Sequence, residues 1–162
     1  MTDWLLANRM YTLLAIPLLA FAEACIGIGL FVSGIILFSI AALLYNSGLI
    51  SLAQIAMLSF PGALLGDQLG FFAGSRLGPG IHQTRLGQRY SARLQRTEQM
   101  ITRHAGGAVF IGRFIPAIRS LIPAMLGISG FDRRRYLMLD AAACALWSIA
   151  LAALVRLSSI LM

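Results

Sequence analysis

A chain of 162 residues that is 59% hydrophobic, 12% charged and +7 in formal net charge, with a mean hydropathy of +0.81, is too apolar for a soluble domain, where about a quarter of residues are charged. The composition points to one integral membrane domain. It sets aside nucleic-acid binding, because a set of 13 arginines without lysine in so apolar a chain belongs at an anionic membrane surface.

The chain opens MTDWLLANRM, with neither a basic leader nor a small-residue cleavage site, so no cleaved signal peptide is expected. Residues 10–45 form an apolar zone too long for one span of about 20 residues and too short for two well-separated ones. Glu23 stands near its middle, and Gly27, Gly29 and Ser33-Gly34 follow. A charge, a set of breakers and an apolar return predict a first re-entrant hairpin. Residues 49–75 fit a single transmembrane helix. In it and just past it, glycines at 62, 66, 70, 74 and 78 recur every four residues, a small-residue ladder that lets another helix approach closely. Asp67 lies within the ladder. Arg76 follows nine residues later, where an arginine anchors the cytoplasmic end of a span.

Residues 76–104 form a polar insert. Arg85, Arg89, Arg93, Arg96 and Arg103 are spaced by four, four, three and seven, which is one narrow stripe at the helical repeat. Leu86, Tyr90, Leu94, Thr97 and Ile101 form the neighbouring stripe. The pattern predicts an amphipathic interfacial helix; a connector packed on its own domain is the plainer alternative.

Residues 105–130 contain FIGRFIPAIRSLIPAMLGISG, an apolar stretch carrying Arg113, Arg119, Pro116 and Pro123. The Arg-rich insert precedes it and Asp132-Arg133-Arg134-Arg135 follows. Arginines in short flanks mark the cytoplasmic side, so both flanks belong on one side. A straight span cannot satisfy that; a second re-entrant hairpin can. Gly106, Gly107, Gly112, Gly127 and Gly130 add breaks. Pro116 and Pro123 are expected to free the carbonyls of Gly112 and Arg119, which is tolerated at membrane depth only beside protein or a wet cavity. A kinked ordinary span is the competing reading.

Residues 136–157 form the last transmembrane helix. Asp140, near its start, is expected to cap that helix or to pair with the run of Arg133, Arg134 and Arg135. The whole reads as an all-α membrane protein in which a hairpin followed by a span occurs twice. An odd number of spans between the hairpins makes them an inverted repeat.

Ionisable groups inside membrane zones are functional candidates. Glu23 is the clearest proton carrier; a structural ion pair with an arginine is the alternative. Arg113 and Arg119 are six residues apart and share no face of a continuous helix, but a turn near Pro116 brings both to one point. Their planar donor forks match phosphate oxygens. Cys25 and Cys144 stand in apolar runs without a CxxC or Cys/His cluster and read as packing thiols, so no disulfide, metal or other cofactor is expected. His82 and His104 have no acid or serine at a working spacing, and no P-loop lysine exists. No enzyme activity is expected.

The segment GGAVFIGRFIPAIRSLIPAMLGISGF resembles the signature of the DedA family, also called SNARE-associated or VTT-domain membrane proteins. Phe110, Gly112, Arg113, Phe114, Pro116, Arg119, Pro123 and Gly127 carry the likeness, and Leu126 departs from the family's alanine. GDQLGFFAGSRLG resembles a second family motif through Asp67, Arg76 and Phe71 or Phe72, and Trp147 stands where the family often has a tryptophan. The resemblance implies two opposed re-entrant hairpins at the membrane centre. It also implies movement of polyprenyl-phosphate or phospholipid headgroups across bilayers, often dependent on the proton motive force. Glu23 matches the acid of the first hairpin, and Arg113 and Arg119 match the essential pair of the second. Many members carry a further acid after a Pro-Gly in the first hairpin; Val32-Ser33-Gly34-Ile35 has none, which puts coupling through two carboxylates in question.

The expected function is flippase-like transport of a lipid-linked phosphate in a bacterial inner membrane. Arg113, Arg119 and Glu23 form the site, and Asp67, Arg76, Gly112, Pro116 and Pro123 support it. The expected partners are a lipid phosphate headgroup, protons, an anionic membrane surface and further copies of the chain. A non-transporting scaffold and a small-ion exchanger are the alternatives.

Overall fold

A computed structural model describes residues 9–25, 34–83, 103–115 and 119–161. Among them are six helices and no strand: α1 (Arg9–Ala24), α2 (Gly34–Asn46), α3 (Leu52–Gln83), α4 (Ala105–Phe114), α5 (Leu121–Ile128) and α6 (Arg133–Leu161). Most of the predicted amphipathic helix lies outside the described residues, as do Gly27, Gly29, Ser33 and Pro116.

Two of these helices are long and apolar enough to cross a membrane, over Leu52–Gly78 and Arg133–Leu161. Both are capped at their starts. Ser51 accepts from the Gln54 amide at 3.2 Å while Gln54 Oε1 accepts from the Ser51 amide at 2.9 Å, a reciprocal capping box. Asp132 Oδ1 accepts from the Arg135 amide at 2.8 Å, satisfying one orphan donor of α6. Each cap follows a helix end of the same type. After α2, Gly48 has φ +69° and the Leu49 amide reaches back to the Leu44 carbonyl. After α5, Gly130 has φ +69° and the Phe131 amide reaches the Leu126 carbonyl. Both are Schellman closures, which need a left-handed residue that glycine supplies without strain. Short helix, left-handed glycine, capped long helix is therefore a unit that occurs twice.

The central element is α3, which packs on α1, α5 and α6. Its glycine ladder is divided between two partners. Gly62 and Gly66 lie against the α1 backbone at Pro17 and Phe21, and Gly74 and Gly78 lie against the α5 backbone at Ala124 and Ile128. Asp67 falls between the two docking stretches. Around it the buried side chains form two groups: Ile16, Leu37, Ile55 and Val155 belong to one, and Phe71, Val109, Leu126 and Tyr136 to the other. The Phe71 and Tyr136 rings stack with centroids 4.3 Å apart and planes 7° from parallel.

Two expectations are revised. The helix runs past the boundary expected between span and polar insert: α3 continues to Gln83, and Gly74 and Gly78 keep this stretch seated on α5. Arg76 is thus a helical, exposed residue whose guanidinium lies over the Phe72 ring at 4.1 Å. Pro123 does not break a helix either. It stands in the first turn of α5, after Ser120 at the N-cap, where a missing N–H costs nothing.

Candidate functional site: a buried charge cluster

The molecule turns the usual arrangement inside out. Met57 and Met138 are each 74% exposed and Leu161 78%, whereas Glu23, Asp67, Arg113, Arg119 and Asp140 are all buried. Exposed apolar surface around buried charge suits a hydrocarbon solvent, in which ionisable groups turn inward and pair. The fold and this centre define an integral membrane protein with a charged interior.

The charges come from both halves. Glu23 sits at the end of α1, and Arg119 lies between α4 and α5; Arg119 Nη1 donates to Glu23 Oε1. Arg113, on the last turn of α4, donates from Nη1 to Asp67 Oδ2 on α3 and lies 3.4 Å from Asp140 Oδ1 on α6. Gln68 Nε2 donates to the other Asp140 oxygen at 2.9 Å. The two guanidiniums face one indole: the Trp147 ring is 5.5 Å from Arg113 Cζ and 5.0 Å from Arg119 Cζ. A cation over an aromatic face gains more once desolvated, so Trp147 holds the two arginines near each other.

Each arginine commits one nitrogen to an acid and keeps others in reserve. Arg113 Nε and Nη2, Arg119 Nη2 and Glu23 Oε2 are buried with no hydrogen-bond partner. Such atoms are costly to leave unpaired. The residues that bear them line a cavity of about 350 Å³. Glu23, Arg113, Arg119 and Trp147 line its polar end, and Phe38, Leu151 and Leu154 its apolar side. Gly34 belongs to the same wall, and a Cβ there would lie 2.7 Å from Glu23 Oε1.

Of the residues singled out from sequence, Glu23, Arg113, Arg119 and Asp67 are together in the cluster. Gly112 is buried beside Arg113 and packs against Ile122 of α5. Pro123 lines a small void with Arg119 and Asp140. Arg76 does not join them. Asp140 corrects an expectation: it neither caps α6 nor meets Arg133 to Arg135. Asp132 is the cap, and Asp140 is 1% exposed and faces Arg113. Cys144 likewise belongs to the centre, with Sγ 3.6 Å from Asp140 Oδ1 and 3.8 Å from Asp67 Oδ2. These three side chains are close enough to hold a metal ion, but Arg113 already supplies the positive charge between the carboxylates.

The model of the VTT domain matches residues 18–157, so the chain belongs to that family, the DedA-type membrane proteins. It is similar to inner membrane protein YabI of Escherichia coli, 27% identical over 86% of this chain and 55% of the relative. It is also similar to inner membrane protein YqjA of the same organism, 29% identical over 76% of this chain and 57% of the relative. A Buchnera aphidicola membrane protein, BU139, is 24% identical over 91% of this chain and 57% of its own length. No solved structure matches. The chain spans just over half the length of these relatives. Its place, like that of YabI and YqjA, is a bacterial inner membrane.

Proposed function

We infer that the chain moves a lipid-linked phosphate, a polyprenyl phosphate or a phospholipid, across the membrane, and that it is not an enzyme. The carrying observation is the set of unpartnered guanidinium nitrogens on Arg113 and Arg119 beside the cavity. They form a donor set for phosphate oxygens, and the apolar side of the same cavity suits the lipid chain that follows. In this reading Glu23 holds Arg119 while the site is empty and yields it, taking a proton, when the anion enters.

The reading includes two re-entrant hairpins, α1–α2 and α4–α5, in an inverted repeat. The repeated glycine closure and capped long helix support it. Single cysteines in place of Gly107 and Arg133, in a background lacking Cys25 and Cys144, test the second hairpin. Both are expected to react with an impermeant maleimide from the same membrane face. Labelling from opposite faces rejects the hairpin.

Transport is tested in proteoliposomes holding a labelled lipid phosphate, with and without a pH gradient. Wild type is expected to move it, and the charge-neutral pair Glu23→Gln/Arg119→Gln to slow it at least about tenfold, the worth of one charge-assisted hydrogen bond, while still folding. A wild type that moves nothing under either condition removes the transport claim. Because the Arg119–Glu23 pair links α1 to the α4–α5 segment, a scaffold is the second reading; it expects the neutral pair to unfold instead.

A further inference from the structure

The buried ionisable side chains among the described residues do not balance. Three carboxyls, Glu23, Asp67 and Asp140, face two guanidiniums, Arg113 and Arg119. Arg119 is committed to Glu23 and Arg113 to Asp67. Asp140 is left over, the most deeply buried of the five.

Its surroundings are those of a neutral acid. Arg113 Nη1 reaches Asp140 only at 3.4 Å, its close contact being with Asp67. Apart from the Asp67 carboxyl, the other hydrogen-bond partners of the Asp140 carboxyl are uncharged donors: the Gln68 amide at 2.9 Å and the Cys144 thiol at 3.6 Å. Tyr136, one turn earlier, gives its hydroxyl to the Asp67 carbonyl at 3.5 Å. Ile122 and Pro123 of α5 line the adjoining void, as does Arg119 just ahead of that helix, whose own ion pair is with Glu23. Glu23, the remaining acid, is held by Arg119. Two carboxyls that share one cation away from water cannot both ionise cheaply. Arg113 also keeps Nε and Nη2 buried and without a partner, so its charge is available to a ligand as well as to the acids.

We propose that Asp140 is protonated in the empty centre, holding one proton shared with Asp67 above Arg113. The first hairpin lacks a second acid at Ile35, and α6 supplies one from another direction. The proton-holding claim rests on geometry and charge count. Its use rests on the transport reading above. A phosphate anion that draws Arg113 away from Asp67 raises the proton affinity of the carboxyl pair, which then takes up a second proton, and departure of the anion returns Arg113 to the pair and frees that second proton. Anion and proton thus favour each other's binding, reciprocally. The step is a proton transfer alone: the Asp67 carboxylate takes a proton from water and becomes a carboxylic acid, and that proton returns to water when Arg113 comes back.

Infrared spectroscopy of the purified full chain in lipid nanodiscs tests this without any transport. At neutral pH wild type is expected to show a carboxylic-acid carbonyl band. That band should shift on labelling with carboxyl-carbon-13 aspartate, stay put with labelled glutamate, and vanish in Asp140→Asn. A wild type with no such band overturns the proposal. So does a band that moves only with labelled glutamate, or one that survives Asp140→Asn. Should Asp140→Asn fail to fold, the two isotope arms decide on wild type alone. A chain that shows the aspartate band yet moves no lipid phosphate sinks the transport reading and leaves the proton on Asp140 standing.

Discussion

Arg113→Ala is expected to destabilise the folded chain by about 3–5 kcal/mol, the cost of stripping the partner from a buried charge. Arg113 contacts both Asp67 and Asp140, and no other buried cation among the described residues pairs with either. Alanine leaves two facing carboxyls with only neutral donors. The control is Arg134→Ala, an exposed position, expected to stay within about 0.5 kcal/mol of wild type. Arg113→Ala/Asp67→Ala is expected to recover most of the loss, since removing both partners spares the uncompensated charge. Chemical unfolding in detergent micelles measures all three. A single mutant as stable as wild type would mean that the pair carries no structural role.

Gly74→Val is expected to cost about 3 kcal/mol, at the upper end of overpacking. A Cβ at Gly74 meets the carbonyl oxygen of Ala124, which is backbone and cannot swing aside as a side chain can. The opposing glycine has no room either, for a Cβ at Gly127 meets the Phe71 carbonyl oxygen. Valine therefore pushes α5 off α3, and Arg119, two residues before α5, moves with it. Gly107→Ala is the matched contrast. Nothing lies within 4 Å of its Cβ position, and alanine in an exposed helix is expected to stabilise by about 0.5–1 kcal/mol. Opposite signs at two helical glycines, read by thermal unfolding, check the packing directly; equal effects contradict it.

Much of the centre was legible in the sequence because a charge in an apolar run has few reasons to be there. Glu23, Arg113 and Arg119 stand out by that rule alone, and the glycine ladder announces α3 as a packing element. Asp140 obeys the same rule and was misread. Its nearness to Arg133, Arg134 and Arg135 offered a local partner, and local pairing outweighs a contact 27 residues away, to Arg113, when only spacing is visible. The Asp67 partner was hidden for the same reason: Arg113 lies 46 residues on. Pro123 was read as a break because periodicity does not show where a helix begins, and at its first turn proline favours the helix it otherwise ends. Trp147 could be singled out only by resemblance, since one tryptophan in a membrane span carries no signal of the two cations beneath it.

The division of the α3 ladder has a mechanical side. At Gly62 and Gly66, and again at Gly74 and Gly78, backbone rests on backbone, with no α3 side chain standing between. Shear between packed helices is a small sliding movement, and at these four positions there is no α3 side chain to unlock first. α3 is then a bearing with two seats, one on each side of Asp67. The ion pairs of Arg119 with Glu23 and Arg113 with Asp67 are pins set across those seats, tying α1 and α3 to the α4–α5 segment.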